Sequence, residues 1–255
     1  MHSVSSKQEM ALMQILADPD ALARRAAELI LLKARESVST KGRFTFALAG
    51  GSTPKRLYEL VADPNQEFRD QIPWTQTHFF WTDERHVGPD HPESNYRMAN
   101  EAMLSVVETP DTNIHRILAE KPVARDAATD YSLQLTNFFR PGPGEFPRFD
   151  FVLLGMGPDG HTASIFPDSE VLKETQELVS APWIEKFDGF RITMTLPVLN
   201  NAEAIIFLVS GEEKAEMISE VLQGSPGRFP AQAVNPANGS LTWLVDKAAA
   251  SKLGT

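Results

Sequence analysis

The chain has 255 residues, of which 42% are hydrophobic and 23% charged, a balance typical of a folded globular protein and not of a disordered or fibrous one. Its 34 acidic side chains exceed its 24 basic ones, and the formal net charge of −10 argues against nucleic acids and acidic membranes as partners. The chain has no cysteine, no apolar run near the ~20 residues of a membrane span and no signal pattern after Met1, so we expect a cytoplasmic protein without disulfides or thiolate chemistry.

Short apolar runs alternate with amphipathic segments along the chain. In chain order the pattern predicts a helix over 21–37, a strand over 44–48, a helix over 54–62, a strand over 78–82, helices over 95–104 and 124–138, strands over 149–154 and 204–209, and a helix over 212–222. Such alternation predicts an α/β fold with a mostly parallel sheet covered on both faces. We interpret the Pro/Gly-rich stretch 140–147 as a surface loop and 1–255 as one domain; the oligomeric state stays open.

The first segment with chemical potential is Leu48-Ala-Gly-Gly-Ser-Thr-Pro, between a strand and a helix. Gly50 and Gly51 let an anion approach the backbone closely, and the N-terminus of the next helix favours a phosphate. Ser52 or Thr53 is suited to cap that helix, with Pro54 at its first position. An ordinary strand-to-helix turn has the same pattern, so the motif alone establishes no site.

The second segment, Trp81-Thr-Asp-Glu-Arg-His, follows the next strand. Ligands of open α/β sheets bind beyond the carboxyl ends of the strands, which is where Asp83, Glu84 and Arg85 are expected. Arg85 is suited to bind a phosphate or carboxylate, and a solvated cluster of paired charges is the alternative. The acidic and histidine residues from Asp83 to His91 lack the spacing of metal ligands, so we expect no metal.

The third segment, Gly155-Met-Gly-Pro-Asp-Gly-His-Thr-Ala-Ser, follows the strongest predicted strand. Its glycines fit a dinucleotide fingerprint and nearly fit a P-loop, but Pro167 leaves little room for the helix that a dinucleotide site needs, and His161 stands where a P-loop has lysine. What remains is a histidine on a glycine-rich turn, with Asp159 two residues away. An ordinary pKa of ~6.5 suits a histidine general base near neutral pH.

The fourth segment, Val209-Ser-Gly-Glu-Glu-Lys-Ala, again runs from a strand into a helix. It is predicted to place Lys214 in the first helical turn, at the same edge of the sheet. A lysine there opposes the helix dipole, which indicates a bound anion or a solvated side chain.

Together and in this order, the four segments resemble the 6-phosphogluconolactonase family, whose fold is shared with glucosamine-6-phosphate deaminases. The residues that carry the resemblance are Gly-Gly-Ser-Thr-Pro at 50–54, Thr-Asp-Glu-Arg at 82–85, Ser-Asn-Tyr at 94–96 and the third segment at 155–164. The resemblance implies a three-layer α/β/α sandwich with a mostly parallel, Rossmann-like central sheet. It also implies hydrolysis of 6-phosphogluconolactone to 6-phosphogluconate in the pentose phosphate pathway, without a metal or organic cofactor.

Residue by residue, the resemblance implies roles for the candidate site. His161 corresponds to the catalytic base, and Asp159 to a group that orients water or His161. Arg85 and Lys214 correspond to phosphate ligands. The turn that borders the substrate contains Gly50, Gly51, Ser52 and Thr53.

Two alternatives stay open at this point. In a deaminase the segment after Gly-His runs toward Asn-Glu-Pro, whereas this chain has Ile165-Phe166-Pro167, and deaminases usually have tyrosine where this chain has Arg85. A non-catalytic sugar-phosphate sensor would carry a DNA-binding helix-turn-helix, and the stretch before Phe44 is short for one.

Overall fold

The computed structural model describes residues 12–254. The strands there are β1 (Leu12–Leu16), β2 (Phe44–Leu48), β3 (Thr77–Trp81), β4 (Asp83–Arg85), β5 (Phe151–Gly155), β6 (Val179–Ser180), β7 (Trp183–Ile184), β8 (Gly189–Met194), β9 (Ala204–Val209) and β10 (Ser240–Asp246). The α-helices are α1 (Pro19–Lys41), α2 (Ser52–Ala62), α3 (Glu67–Gln71), α4 (Asn95–Ala102), α5 (Ala124–Phe139), α6 (Leu196–Leu199) and α7 (Ala215–Gln223). No helix in this part of the chain is long and apolar enough to cross a membrane.

Six strands form one central sheet in the order β1-β10-β9-β5-β2-β3, and every neighbouring pair is parallel. All five residues of β2 are buried, as are the first four of β5 and the last five of β9. A strand buried on both of its faces lies inside a sheet that is covered on both sides. The predicted three-layer α/β sandwich with a mostly parallel sheet is therefore confirmed.

The first helix shows how local sequence sets the element ends. Asp18 caps α1 by accepting a hydrogen bond from the Ala21 N–H at 2.8 Å, and Pro19 occupies the first helical position. Gly42 ends the helix with φ of +74°, the left-handed conformation that glycine adopts without strain. The helix thus extends beyond the predicted 21–37 at both ends, because its capping residues lie outside the apolar stripe.

A second, smaller sheet was not predicted. It has the order β4-β8-β6, with β7 paired to β8, and its pairs are antiparallel. Three of its strands have only two or three residues, which is too short for an alternating pattern to stand out. Its strand β4 begins one residue after the end of β3, so this sheet lies next to the carboxyl end of β3.

Two buried tyrosines form hydrogen bonds with backbone groups at the carboxyl ends of two adjacent central strands. The hydroxyl of Tyr58 donates to the Ala49 carbonyl at 2.8 Å and accepts from the Ala49 N–H at 3.0 Å. The hydroxyl of Tyr131 does the same for Trp81, at 3.0 and 2.9 Å. Each phenol satisfies a donor and an acceptor that would otherwise be buried without a partner.

Candidate active site

The carboxyl ends of four neighbouring parallel strands meet at one edge of the central sheet, in the order β9, β5, β2, β3. From β2 the chain passes outward to β3, whereas from β5 it passes to β9 on the other side. The topological switch point therefore lies between β2 and β5. Open α/β sheets bind ligands in the crevice at such a point. Each of the four segments singled out in the sequence follows one of these strands, so the crevice is the candidate active site.

The loop after β5 carries His161 and is shaped by its glycines. Gly157 lies against the imidazole, since a methyl group in place of its hydrogen would lie 2.0 Å from Cε1 and Nδ1 of His161. The Gly157 N–H donates to the His161 carbonyl at 2.8 Å and closes the loop. Gly160 has φ of +75° and lies so close to Phe229 that a side chain would not fit. These glycines let the loop turn back tightly on itself beneath His161.

The glycine pattern of this loop does not form a dinucleotide site. A helix would have to begin directly after Gly160, but the next helical residues are the 3₁₀ turn Glu170–Lys173. The structure thus lacks the helix that a dinucleotide fingerprint requires after its third glycine.

His161 and Asp159 form a hydrogen-bonded pair, with 2.5 Å between Nδ1 and Oδ1. The other carboxylate oxygen of Asp159 accepts from the Nζ of Lys186 at 3.2 Å. Burial alone raises the pKa of Asp159, but the hydrogen bond and charge of His161, together with the Lys186 hydrogen bond, outweigh burial and lower it to about 2. Asp159 is therefore ionised at neutral pH and keeps the proton of His161 on Nδ1. Nε2 is then the nitrogen able to accept a proton.

The surroundings of the imidazole are apolar on one side and open on the other. The ring of Phe166 lies 4.2 Å from that of His161, centre to centre, and is itself buried. The His161 side chain remains 22% exposed, so water can reach it.

The turn after β2 differs in detail from the prediction. Gly51, with φ of +102°, is the N-cap of α2, and the helix begins at Ser52. The prediction that Ser52 or Thr53 caps the helix and that Pro54 is its first residue is wrong: no side chain caps α2, and Pro54 is the third residue. The first N–H groups of a helix have no acceptor within the helix. The N–H groups of Ser52 and Thr53, at the end of α2 that borders the crevice, are therefore available as donors to a ligand.

Gly50 is needed for a different contact. A methyl group there would lie 1.9 Å from Oδ1 of Asn95, the first residue of α4. The amide of Asn95 in turn donates to the Asp83 carbonyl at 2.9 Å. The glycine turn and the segment after β3 are thus held together through Asn95.

Asp83 and Glu84 position the site and are not solvated charges. Glu84 is buried and accepts hydrogen bonds from the N–H groups of Arg85, Asn95 and Tyr96 at 2.7–2.9 Å, which fixes the start of α4. Burial raises the pKa of Glu84, although these three hydrogen bonds oppose it. Asp83 accepts from the hydroxyl of Ser164 at 2.6 Å and so connects β4 to the His161 loop.

Arg85 and Lys214 lie on opposite sides of the crevice. Arg85 is half-buried at the end of β4, and its Nη1 donates to the Glu93 carbonyl. Lys214 ends a 3₁₀ turn (Glu212–Lys214) directly before α7, so it precedes the α-helix and does not lie in its first turn as predicted. Three inter-strand spacings place β3 and β9 roughly 14 Å apart, so the two cations can approach a bound molecule from its two sides.

The sequence pointed to no role for Lys186, Ser164 or Arg191, all of which lie near the His161 loop. In β8 the polar Arg191 and Thr193 alternate with the apolar Ile192 and Met194, and this period of two in the sequence is the signal that could have identified the strand. Lys186 and Ser164 carry no such signal, because long-range contacts alone bring them to Asp159 and Asp83.

The histidines after β4 have partners within the protein. Nε2 of His86 lies 2.7 Å from the Lys121 carbonyl, and Nδ1 of His91 accepts from the Glu93 N–H at 3.2 Å. Within residues 12–254, no three His, Asp or Glu side chains are grouped so as to hold a metal ion.

Comparison with known proteins links the chain to one family. Residues 17–243 match the family model described as glucosamine-6-phosphate isomerases/6-phosphogluconolactonase. The chain is 42% identical to a 6-phosphogluconolactonase of Nostoc sp. over 244 residues, which are 94% of this chain and 97% of the relative. Its structure is similar to that of the 6-phosphogluconolactonase from Trypanosoma brucei, with a TM-score of 0.84 and 30% identity over 96% of this chain and 99% of the other. A monomeric glucosamine-6-phosphate deaminase has a TM-score of 0.80 over 94% of this chain and 99% of its own, and at 20% identity it shares the fold.

Proposed function

This chain belongs to the glucosamine-6-phosphate isomerase/6-phosphogluconolactonase family, and from that premise we infer that it hydrolyses 6-phospho-D-glucono-1,5-lactone to 6-phosphogluconate. It is thus a lactone-hydrolysing enzyme of the pentose phosphate pathway. Curated relatives named 6-phosphogluconolactonase match 94% of the chain at 38–42% identity. The hydrogen-bonded pair of His161 and Asp159 at the switch point is the structural observation that supports a mechanism for this reaction.

We propose that His161 is the general base. Asp159 holds the imidazole by Nδ1, so Nε2 takes a proton from a water molecule as the water oxygen attacks the lactone carbonyl carbon. Negative charge then develops on the former carbonyl oxygen. When the tetrahedral intermediate collapses, the bond from this carbon to the ring oxygen breaks, and the ring oxygen receives the proton from Nε2. The new carboxylic acid loses its proton to solvent, and no covalent enzyme intermediate is needed.

The phosphate of the substrate is bound by cations and backbone donors around the crevice. Arg85 approaches from the β3 side, Lys214 from the β9 side, and the N–H groups of Ser52 and Thr53 lie at the N-terminus of α2 between them. Gly51 has no side chain that could block the phosphate, and Gly50 lets the Asn95 side chain pack against the turn. Fixing the phosphate orients the lactone carbonyl before reaction, which lowers the entropic cost of reaching the transition state.

Phe166 supports lactone hydrolysis over deamination. It stacks on His161 at the position where the deaminase pattern has glutamate. Ring opening and isomerisation of an amino sugar need additional proton transfers, and an apolar ring cannot carry them. Hydrolysis of a lactone needs one proton accepted and one returned, which His161 supplies alone.

A substrate comparison tests the function. We expect the protein to release acid rapidly from 6-phosphogluconolactone, followed with a pH indicator after subtraction of spontaneous hydrolysis, and to release no ammonia from glucosamine 6-phosphate. His161→Ala should lower kcat by ~10²–10⁴-fold with an unchanged thermal unfolding curve, because it removes the base and leaves the loop glycines in place. Faster turnover of the amino sugar would contradict the lactonase function, and normal turnover by His161→Ala would contradict the role of the histidine.

We further propose that residues 1–255 act as one domain and that the enzyme works in the cytoplasm without nucleic acid. In support of one domain, β1 and β10 lie side by side in the same sheet although they are far apart in the chain. The net charge of −10 supports the absence of a polyanionic partner. Cell fractionation and a DNA- and RNA-binding assay at low salt would test these two points.

A further inference from the structure

Two arginines lie directly opposite each other beside the crevice. In the antiparallel pair of β4 and β8, Arg85 is the partner of Arg191. Side chains opposite each other in such a pair share one face of the sheet, with Cβ atoms about 4.5–5.5 Å apart. Like charges in these positions destabilise the fold, so the arrangement calls for a compensating anion.

The face that carries the two arginines borders the His161 loop. Two residues further along the same pair of strands, Asp83 is opposite Thr193 and therefore shares this face. Both contact Ser164: its hydroxyl donates to Asp83 at 2.6 Å, and its N–H donates to the Thr193 hydroxyl at 3.2 Å.

Aromatic contacts connect Arg191 to the catalytic pair. Its guanidinium carbon lies 5.1 Å from the ring centre of Phe187, which belongs to the turn between β7 and β8. The ring of Phe187 lies 5.7 Å from that of Phe166, and Phe166 lies 4.2 Å from His161. Arg191 is therefore held at the same mouth of the crevice as the proposed base.

The two guanidiniums bind backbone carbonyls and have no carboxylate partner among residues 12–254. Nη1 of Arg85 donates to the Glu93 carbonyl, and Nη1 of Arg191 donates to the Phe190 carbonyl at 3.2 Å. Burial and then the charge of Arg85 lower the pKa of Arg191, and the charges of Asp83, Glu93 and Glu84 offset this only in part. Most N–H donors of the two guanidinium groups thus remain available to a ligand.

We propose that Arg191 and Arg85 together form a two-arginine site for the phosphate group of the substrate. The inference rests on the proposed function and adds a residue that binds substrate. A phosphate monoester offers several acceptor oxygens with the spacing of a guanidinium fork, and two forks neutralise its double charge. Lys214, on the far side of the crevice, is then the third cation near the bound molecule.

Kinetics of Arg191 variants test the site. We expect Arg191→Gln to raise KM for 6-phosphogluconolactone about 10- to 100-fold with a smaller change in kcat, because a charge-assisted bidentate contact is lost. Arg191→Lys should fall between this variant and the wild type, since it keeps the charge and loses the fork. Arg125→Gln, at a side chain that is 81% exposed, is the matched control and should behave as wild type. Glucono-1,5-lactone, which has no phosphate, should be hydrolysed equally by all four proteins.

Two further readouts separate this role from a structural one. Arg191→Gln should not lower the thermal midpoint of unfolding, because it removes a like charge opposite Arg85. Calorimetry with inorganic phosphate should show weaker binding to this variant than to the wild type.

Unchanged KM and unchanged phosphate binding would overturn the proposal. An equal loss on both lactones would also overturn it, because Arg191 would then act at the lactone group. A wild type without activity on the phosphorylated lactone would contradict the proposed function instead, and phosphate calorimetry would still decide the role of Arg191.

Discussion

Gly157→Ala should disable the enzyme without unfolding it. The backbone of Gly157 lies outside the left-handed region, so alanine fits the main-chain conformation. The new methyl group, however, would lie 2.0 Å from two ring atoms of His161. The substitution therefore acts on the proposed base through space and leaves its chemical identity unchanged.

The size of the effect follows from this contact. Ordinary van der Waals contact begins at 3.4 Å, so the ring must move by about 3.4 − 2.0 = 1.4 Å or rotate away from Asp159. A displacement of 1 Å at a reacting group can cost about 10²-fold, and complete loss of a general base costs ~10²–10⁴-fold. We expect kcat to fall by about 10²–10⁴-fold, with the larger value if the hydrogen bond between His161 and Asp159 is broken.

Gly155→Ala is the matched control. Gly155 is the last residue of β5, two residues before Gly157, and a methyl group added there would have no heavy atom within 4 Å, so this variant should retain kcat. Both variants should unfold within about 2 °C of the wild type, because neither introduces a strained backbone or a core cavity. The acid-release assay and a thermal melt on the three proteins suffice. Wild-type turnover by Gly157→Ala would refute the argument that this glycine leaves room for the catalytic ring.

Three further predictions concern binding, metal and pH. Arg85→Ala should raise KM for 6-phosphogluconolactone, since a phosphate ligand is lost. An unchanged KM and kcat/KM would mean that Arg85 is an ordinary surface charge without a role in binding. Exhaustive chelation should leave activity unchanged, because Glu84, His86 and the residues around them already have protein partners. Loss of activity in folded protein, restored by added metal, would require a new role for His161. Burial and then the charge of His78 lower the pKa of His115 from 6.5 to about 4. Unfolded His115 therefore binds a proton below pH 6.5 that the folded protein does not bind until about pH 4, so the free energy of unfolding should fall as the pH is lowered from 6.5 to about 4, by less than ~1.4 kcal/mol per pH unit for a part-exposed ring. His115→Phe should reduce the dependence of the urea midpoint on pH, and an identical dependence in both proteins would count against this assignment.

The central strands were the most predictable part of the fold. The bounds of β2 and β9 agree with the predicted 44–48 and 204–209, because both are apolar runs that end at turn residues. The prediction over 149–154 began two residues before β5, since the apolar Phe149 is buried in the core but lies outside the strand. Strands that are buried on both faces carry their signal in composition alone, and local sequence is enough to find them.

The candidate site was predictable to the extent that its residues follow those strands. Gly50, Arg85, His161 and Lys214 all lie at the expected edge because parallel strands point their carboxyl ends the same way. Other contributions depend on pairing between distant segments. Arg191 reaches the site only because β8 pairs with β4, more than 100 residues earlier in the chain, and no local pattern encodes that register.

β10 (Ser240–Asp246) was also missed, and it shows a related limit. It lies between β9 and β1 in the sheet, yet its first three residues are exposed or half-buried and Pro236 and Gly239 precede it. Polar and turn-forming neighbours mask the apolar half of the strand, so composition did not mark it.

The paired tyrosines at the strand ends have a consequence for how this crevice tolerates mutation. Ala49 follows β2, which borders the switch point, and Trp81 ends β3, the last strand of the sheet, so the sheet provides no further partner for their peptide groups. Tyr58 in α2 and Tyr131 in α5 supply the missing donor and acceptor at Ala49 and Trp81. Because phenylalanine fills the same volume but offers neither group, each Tyr→Phe change would leave two buried backbone groups unpaired, at about 1–3 kcal/mol per group. Two buried side chains that the proposed mechanism does not use thus fix the strand ends beside the candidate site, and a screen for lost activity would detect them beside the substrate-binding residues.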